Sequence, residues 1–542
     1  MRQSRFGNPI PLPAKSRQTV LVVDPTGGFR SDVAPTNLPP GYTPDAQNYL
    51  VREGMLEPRP MLVRRTTQTV RNSPILGGLE AVDVQGASYP FASHATNPVW
   101  YSGGSWSQLS YVSAAGVNEA PSNSNNSLWD MTQVYGYPLQ DENLVIMASP
   151  SYQTLYCWQS GTTVYSTLTG APRALAVAIF DNYVLAFNIQ EGSNNYVQRV
   201  QWNDRGSVSS WTNANSLIGS IDLLDARGFG TRLLPQEDRC IAFTSREVWE
   251  LRSVGLPSIF DYRAVDRTIG CPFPQTAADT PNGVIFLGND YNLYLLPKGG
   301  GAAQPIGGAI HKTIRDTIDY PQRAWGRFNR LTNQYELHYA VRGGEAYPTR
   351  AFYLDLVGGA WMPQTFAQPL SYGWMGSLGT NSGGTTWAQA AAAGLRWADM
   401  TGTWGDQSGS AGVGPLAPYD GSSNGTLYYE SSSATNDDGQ TVTCRWRSHA
   451  IGGSDPAAQK TVTIIRVDYQ AQSASSLTVR MSQDVGGSFD NGVEEALPAS
   501  SVLSQARADV FSPSRYPMFE VEQERGRARL ARFHVTYREQ GR

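Results

Sequence analysis

The chain has 542 residues, with 42 Lys and Arg against 46 Asp and Glu and a formal net charge of −4. That length is too great for one ordinary core and calls for two to four domains, and nothing in the charge balance requires a nucleic-acid partner. Gly (54) and Pro (34) exceed average usage and stand beside 27 Tyr and 14 Trp, which excludes a mainly helical protein and favours many short strands joined by turns.

Residues 1–18 are polar with three prolines and read as an extended arm. Thr19–Val23 is a short apolar run of strand character, followed by a Pro-rich connection to Pro44. In Tyr49-Leu50-Val51-Arg52-Glu53-Gly54-Met55-Leu56, the Arg-Glu-Gly core predicts a tight turn between two short strands, with Gly54 taking positive φ. From about 75 to 400 the pattern is strand, turn, strand. It is carried by Leu144–Ala148, Leu155–Trp158, Tyr183–Phe187, Gln198–Trp202, Cys240–Phe243, Val248–Leu251, Val284–Leu287, Leu293–Leu296, Tyr335–Ala340 and Ala351–Asp355. Short strands at this spacing mark a sandwich, barrel or propeller. Turns at Gly288-Asn289-Asp290 and Leu331-Thr332-Asn333, and strand ends at Trp202, Trp249 and Trp361, favour hairpin-built blades. Ile310, Ile314 and Ile318 give the one helical period. No strict repeat can be aligned, so the blade number stays open.

Residues 375–425 are rich in Gly, Ser and Thr, with Trp387, Trp397 and Trp404 at intervals, and read as a last blade and a linker. Further strands are expected at Thr426–Glu430, Thr441–Arg447, Thr461–Ala471, Ser476–Ser482 and Arg529–Tyr537, with a hairpin turn at Asp437-Asp438-Gly439. The expected architecture is therefore all-β: an arm and short β segment over 1–74, a central β-propeller over 75–415 and a β-sandwich-like domain over 416–542.

Charged residues are only 16% of the chain. Burial against partner subunits and Ser/Thr/Asn/Gln-rich loops account for this equally well. Lys occurs only at 15, 298, 312 and 460. The Arg excess suits planar pairing at interfaces, although a GC-rich genome would give the same bias. Cys157, Cys240, Cys271 and Cys444 are far apart without a CxxC or Cys/His pair, and read as small buried hydrophobes in a reducing compartment. The first 18 residues lack the apolar run of a signal peptide, and no stretch reaches the ~20 apolar residues of a membrane-spanning helix.

Motifs that could carry chemistry dissolve into turns. Gly421-Ser422-Ser423-Asn424-Gly425 matches GxSxG, but a nucleophile elbow needs a strand before it and a helix after it, and here a strand follows. Ser482–Phe489 matches an Asp box and Trp202–Gly206 nearly does; such boxes are hairpin turns whose carboxylate accepts backbone N–H bonds. The histidines His94, His311, His338, His449 and His534 have no ligand spacing. Arg525, Arg527, Arg529, Arg532 and Arg538 form the one basic cluster. Pairing with Glu520, Glu522 and Glu524 accounts for it better than DNA phosphates do. No catalytic, cofactor-binding or metal-binding residue is expected, and no cofactor.

Several segments in order carry a resemblance: Arg199–Gly206 with Trp211-Thr212, Gly219–Leu223, Ala226–Gly230, Ile241–Leu251, Gly255–Phe260, Val284–Gly288 and Pro305–Gly307. Upstream of them, Asp45-Ala46-Gln47-Asn48 precedes Gly54, Arg59 and Pro60. Over residues 40–360 this run resembles the nozzle and hub proteins of bacteriophage tails, the tail tubular protein B-like group. The last 120 residues resemble that family only in being all-β. The resemblance implies a non-enzymatic virion protein of the tail, assembled in the host bacterial cytoplasm. It would form a homo-oligomeric ring, usually a hexamer, that docks to portal-adaptor proteins and to fibres or spikes. Double-stranded DNA is held in its lumen and released without sequence specificity during genome ejection. Such a lumen should avoid basic patches, because each phosphate contact would make the DNA stick. The alternative is a carbohydrate-binding or sialidase-like propeller, an adhesin or depolymerase, with several Arg and a Tyr/Glu or paired carboxylates in a central pocket.

Overall fold

A computed structural model describes residues 18–540 apart from 67–70, 83–87, 103–104, 114–119, 124–126, 136–142, 209, 213–216, 378–415, 454–457, 484, 486 and 525–526. The arm before Gln18, Trp387, Trp397 and Trp404, and the Asp-box positions Asp484 and Gly486 lie outside the described residues. The described chain is all-β, its α-helix spanning Gly308–Thr317 with Ile310 and Ile314 buried, where the isoleucine period predicts it.

Contacts divide the chain into two compact units. One comprises Met1–Arg59, Gly358–Gln364 and Thr441–Arg542; the other comprises Pro60–Val357 and Thr365–Gln440. These boundaries differ from the sequence-based divisions at 74/75 and 415/416 for a topological reason. Leu416–Ser422 pairs with Leu370–Ser377 and Leu427–Ser431 pairs with Met61–Arg64, so both ends of the larger unit meet in one sheet. Periodicity along the chain cannot report a pairing between residues more than 360 positions apart.

The larger unit is a series of small antiparallel sheets, labelled A to G. Sheet A holds Gly77–Val82, Ser88–Ser93, Pro98–Ser102 and Ser105–Gln108. Sheet B holds Asp130–Val134, Leu144–Ala148, Tyr156–Gln159 and Val164–Thr167, with Ser110–Val112 added in parallel at its edge. Sheet C holds Arg173–Phe180, Tyr183–Glu191, Asn194–Trp202 and Gly219–Asp222; sheet D holds Gly230–Pro235, Cys240–Thr244, Val248–Ser253 and Phe260–Asp266. Sheet E holds Ala278–Thr280, Gly283–Leu287, Leu293–Pro297 and Gln304–Pro305. Sheet F contains Trp325–Asn329, Gln334–Val341 and Arg350–Asp355. Sheet G is Leu370–Ser377, Leu416–Ser422, Leu427–Ser431 and Met61–Arg64. The predicted turns at Gly288–Asp290 and Leu331–Asn333 join consecutive strands of sheets E and F.

Burial departs from the alternation expected of a half-solvated sheet. All five residues of Leu144–Ala148 are buried, as are those of Cys240–Thr244 and Gly283–Leu287. A strand buried on both faces needs a neighbouring layer on each side, and the cores lie accordingly between sheets. Ile146 of sheet B meets Val184 and Ala186 of sheet C in one cluster. Leu185 and Phe187 join Ala242 and Trp249 of sheet D, Phe243 and Val248 join Val284 and Phe286 of sheet E, and Ala92 and Val99 of sheet A join Trp374 and Tyr419 of sheet G. The first strands pack on one another in the same sequence: A on B, B on C, C on D, E on F, F on G, and G on A, with the turn Pro274–Thr276 between D and F.

Close approach of first strands depends on small residues. A Cβ on Gly373 of sheet G would stand 2.5 Å from the Trp325 ring of sheet F, and one on Gly78 of sheet A 2.5 Å from Trp374 of sheet G. Trp325 is fully buried and cannot swing aside.

In the smaller unit, a long sheet runs Ser500–Ser514, Gln459–Ala471, Ala528–Gln540, Met55–Pro58 and Tyr49–Arg52, with Gln18–Val23 also pairing with Ala528–Gln540. A second sheet runs Ala46–Gln47, Cys444–Arg447, Met518–Gln523, Ser475–Ser482 and Val493–Leu497. Trp446 and Phe519 of the second sheet pack on Phe533 of the long one, with ring centroids 5.2 and 5.3 Å away. The predicted turn after Arg52 is a two-residue hairpin with Glu53 at φ 51° and Gly54 at φ 75°. Positive φ at both residues matches the twist of the flanking strands.

Gly373→Val is expected to lower stability by about 1–3 kcal/mol through overpacking against an immobile ring. Urea unfolding of the variant beside wild type measures this; an unchanged midpoint would contradict the close packing of sheets F and G.

Candidate functional site

The first strands bring a set of polar groups together, and those groups form the candidate site. Asp130 begins the first strand of sheet B, where its Oδ2 accepts a 3.0 Å hydrogen bond from the Val177 amide of sheet C. Gln275, in the Pro274–Thr276 turn, donates from Nε2 to the Trp129 carbonyl at 3.0 Å and accepts from the Tyr372 hydroxyl of sheet G at 3.4 Å. Arg232 of sheet D donates to the Pro274 carbonyl at 2.7 Å, and the Tyr335 hydroxyl of sheet F donates to the Thr276 carbonyl at 2.7 Å. Asp130 and Gln275 are buried. Burial pushes the Asp130 carboxyl up, opposed by Arg232 and by the Val177 amide. These partners are largely backbone groups of neighbouring sheets, so the arrangement ties strands together. A sialidase-like centre needs several Arg around a carboxylate; this cluster contains Arg232 and Asp130.

A second buried cluster has more charge. Arg327, in the first strand of sheet F, meets three carboxylates. Its Nε lies 2.5 Å from Glu336 Oε2, its Nη1 lies 2.7 Å from Asp420 Oδ1, and its Nη2 pairs with Glu430. Nη1 also donates to the Tyr419 carbonyl at 2.9 Å, Asn329 donates to Glu336 at 2.9 Å, and the Tyr353 hydroxyl donates to Glu430 at 3.2 Å. Burial opposes the Arg327 charge, but Asp420, Glu336 and Glu430 outweigh it and hold the guanidinium pKa well above its usual value. Burial pushes the Glu336 carboxyl up against the pull of Arg327. Asp420 and Glu430 belong to sheet G, so the cluster joins F to G, with Glu430 on the strand next to Met61–Arg64. Its four charged groups are all buried.

Sheet D holds a related group. Arg239 and Glu250 are each 1% exposed and lie 3.1 Å apart, and Arg239 also donates to the Pro297 carbonyl of sheet E at 2.9 Å. Neither cluster is among the residues singled out from the sequence. The available signal was phase: Glu250 and Glu336 each sit inside an apolar strand, in Val248-Trp249-Glu250-Leu251 and Tyr335-Glu336-Leu337.

The residues singled out in the sequence fall as follows. Ser423 of the GxSxG match lies in a turn between Leu416–Ser422 and Leu427–Ser431, with Gly425 at φ 82° and its amide bonded to the Ser422 carbonyl at 3.2 Å. The near-miss box at Trp202–Gly206 is also a turn, where Asn203 Oδ1 accepts from the Val184 amide at 2.7 Å. His338 stacks on Trp325 at 3.8 Å, His94 is buried and pushed down to about 4 by that burial, and burial also lowers His449. His311 is 3.1 Å from the Asp290 carbonyl, and His534 is 2.9 Å from Asp468. Cys240, Cys271 and Cys444 are buried and no disulfide forms among the four. Among the described residues, no group of three or more His, Cys, Asp or Glu is placed to hold a metal, and no helix is long and apolar enough to cross a membrane.

The basic carboxy-terminal strand pairs with acids, but different ones from those its sequence neighbourhood suggests. Arg529 meets Glu53 at 2.7 Å, Arg532 meets Asp24 at 2.6 Å, and Arg527 lies 3.7 Å from Glu57. Glu520 and Glu522 instead take Arg447 and Arg480 from the neighbouring strands of their own sheet. Strand pairing, which is not local in sequence, chose the partners.

No family model matches the chain, and no curated protein matches it. Among solved structures it is similar to the computationally designed Ika8 protein at 9% identity and TM-score 0.33, covering 66% of this chain and 96% of that one. It is also similar to the Pan2 WD40 domain of Neurospora crassa at 9% identity and TM-score 0.32, covering 69% and 99%. An exo-beta-1,3-galactanase from Phanerochaete chrysosporium gives 11% identity and TM-score 0.27, covering 85% and 100%. Similarity at this level carries no argument about function.

Arg327→Met is expected to cost about 3–5 kcal/mol, since it leaves carboxylates buried without their cation; chemical unfolding measures the loss. Glu80, beside Ser88 on sheet A, has its carboxyl pushed up from 4.5 to about 7 by burial, which the Ser88 hydrogen bond only partly offsets. The folded state therefore keeps this proton longer than the unfolded state, and stability should fall as pH rises from 4.5 through 7. Melting temperatures across that window should decline less steeply for Glu80→Gln; parallel curves would rule out Glu80 as a source of the slope.

Proposed function

We propose that this chain is a structural subunit of the tail of a tailed bacteriophage, a nozzle or hub component that forms a ring, retains and conducts genomic DNA, and docks to portal-adaptor and fibre or spike proteins. The observation that carries the reading is the ordered run of nozzle-like segments between Asp45 and Gly307. Its members fall on core strands of consecutive sheets: Trp202 is buried in sheet C, Ile241, Phe243, Val248 and Trp249 in sheet D, and Val284 and Phe286 in sheet E.

Sheets A to G are, in this reading, seven blades of one propeller. Support comes from the cyclic order in which the first strands pack, from A through to G and back to A, and from the completion of sheet G by Met61–Arg64. A circle closed by hydrogen bonding between early and late strands leaves no unpaired end sheet. The smaller unit is a two-sheet sandwich. The centre of such a propeller is occupied by Trp129, Gln275, Tyr335 and Tyr372, so the DNA conduit of this proposal runs between subunits in the ring and not along the axis of one propeller.

Native mass spectrometry and negative-stain imaging of the full chain test the proposal. Closed rings with a central hole are the expected result. A strict monomer or a trimeric spike at high micromolar concentration would sink the ring reading and favour a glycan-binding protein.

A further inference from the structure

We propose that the smaller unit binds a small sugar acid, a molecule with one carboxylate and several hydroxyls, in a pocket of about 400 Å³ on the outer face of its long sheet. The proposal stands apart from the ring reading and needs no second copy of the chain.

Three adjacent strands build the pocket. Arg529 of Ala528–Gln540 and Gln470 of Gln459–Ala471 lie directly opposite one another, and Ser500 and Ser501 begin the neighbouring strand Ser500–Ser514. Gln472 and Ala499 complete the lining from the ends of their strands. Ala528 and Leu530 on either side of Arg529, and Tyr469 and Ala471 on either side of Gln470, are buried. Alternation along a strand therefore turns Arg529 and Gln470 to the outer face. The volume is at the small end of the ~300–1,000 Å³ typical of ligand pockets, which suits a single sugar ring.

Charge around Arg529 is uneven. Glu57 is shared by Arg52, Arg527 and Arg529, each 3.7 Å away, too far for a hydrogen bond. Burial lowers the Arg527 pKa, and the charges of Arg52 and Arg59 add to that against the pull of Glu57. Arg529 has one close acid, Glu53, which accepts from Nη2 at 2.7 Å and is itself 78% exposed. An ion pair so open to water is weak. Arg529 Nε is buried without a hydrogen bond, and Nη1 donates to no described residue. Arg52, Arg59, Arg527 and Arg529 thus outnumber Glu53 and Glu57, and Arg529 carries the surplus charge to the pocket wall.

The rest of the wall selects the ligand. The amides of Gln470 and Gln472 and the hydroxyls of Ser500 and Ser501 both donate and accept, which matches vicinal hydroxyls. Ser500 is held in place by the Val502 carbonyl and the Ser504 hydroxyl, 2.8 Å from each. Among the described residues no acid lines the pocket, so the ammonium of an amino acid would find no partner there. Arg529 is the one cation of that wall, and a doubly charged phosphate would keep an uncompensated charge. A single carboxylate is matched by one guanidinium.

Saturation-transfer NMR on the full chain, titrated with sodium D-glucuronate at low ionic strength, tests the site. Glucuronate should bind the wild type, and D-glucose, its uncharged counterpart, should bind at least about tenfold more weakly. Arg529→Gln should weaken glucuronate by a similar factor. Ser501→Trp puts an indole into the pocket from an exposed position and leaves Arg529 and its acids in place. It should abolish binding with an unchanged melting temperature. No glucuronate signal in the wild type overturns the proposal, as does glucose binding of equal strength. Displacement of glucuronate by an equal concentration of inorganic phosphate marks a simple anion site and overturns the sugar-acid assignment. Glucuronate binding that survives Ser501→Trp unchanged puts the ligand elsewhere and overturns the site. The same outcomes hold whether the chain forms rings or stays monomeric, so failure here leaves the ring reading standing.

Discussion

The larger unit depends on one constraint: inner strands of its small sheets are buried on both faces. A sheet with one solvated face can end a fold, but Leu144–Ala148, Cys240–Thr244 and Gly283–Leu287 are buried from end to end and need a layer on either side. Each sheet therefore requires a neighbour before and after it. The same need carries the packing of first strands from A to D and from E through F and G to A, with the turn Pro274–Thr276 between D and F. Met61–Arg64, the strand that precedes sheet A in sequence, completes sheet G instead, and Asp437 fixes it there by accepting a 2.8 Å hydrogen bond from the Leu62 amide.

Polar residues inside such a stack have to be satisfied by their neighbours, because water does not reach them. Arg327 with Glu336, Asp420 and Glu430, and Arg239 with Glu250, meet this requirement through several hydrogen bonds per group. Each cluster reaches from one sheet to the next. Buried ion pairs of this kind add little net stability compared with an apolar filling; here they connect F to G and D to E. The central groups around Gln275 behave alike, donating to carbonyls of adjacent strands.

The smaller unit manages its strands differently. Its inner faces meet through Trp446, Phe519 and Phe533, while the outer face of the long sheet carries the Arg507–Asp509 and His534–Asp468 pairs beside exposed Val22 and Phe511.

Residue pattern by itself determined the fold class, the hairpins and most strand positions. The two-residue turn at Glu53-Gly54, the helix carrying Ile310 and Ile314, and the turns at Gly288–Asp290 and Leu331–Asn333 follow from local chemistry: φ above zero, a 3.6-residue period, and side chains that replace backbone partners. The same local rules identified Ser423 as a turn residue. What only the tertiary structure decided were pairings between distant segments. Met61–Arg64 with Leu427–Ser431, Arg529 with Glu53, Arg532 with Asp24, and Arg327 with Asp420 join positions that lie far apart along the chain. Alternation along a strand reports which way a side chain points, but not which surface it meets. A carboxylate such as Glu336 therefore looks solvated in sequence until the sheet that buries it is in place.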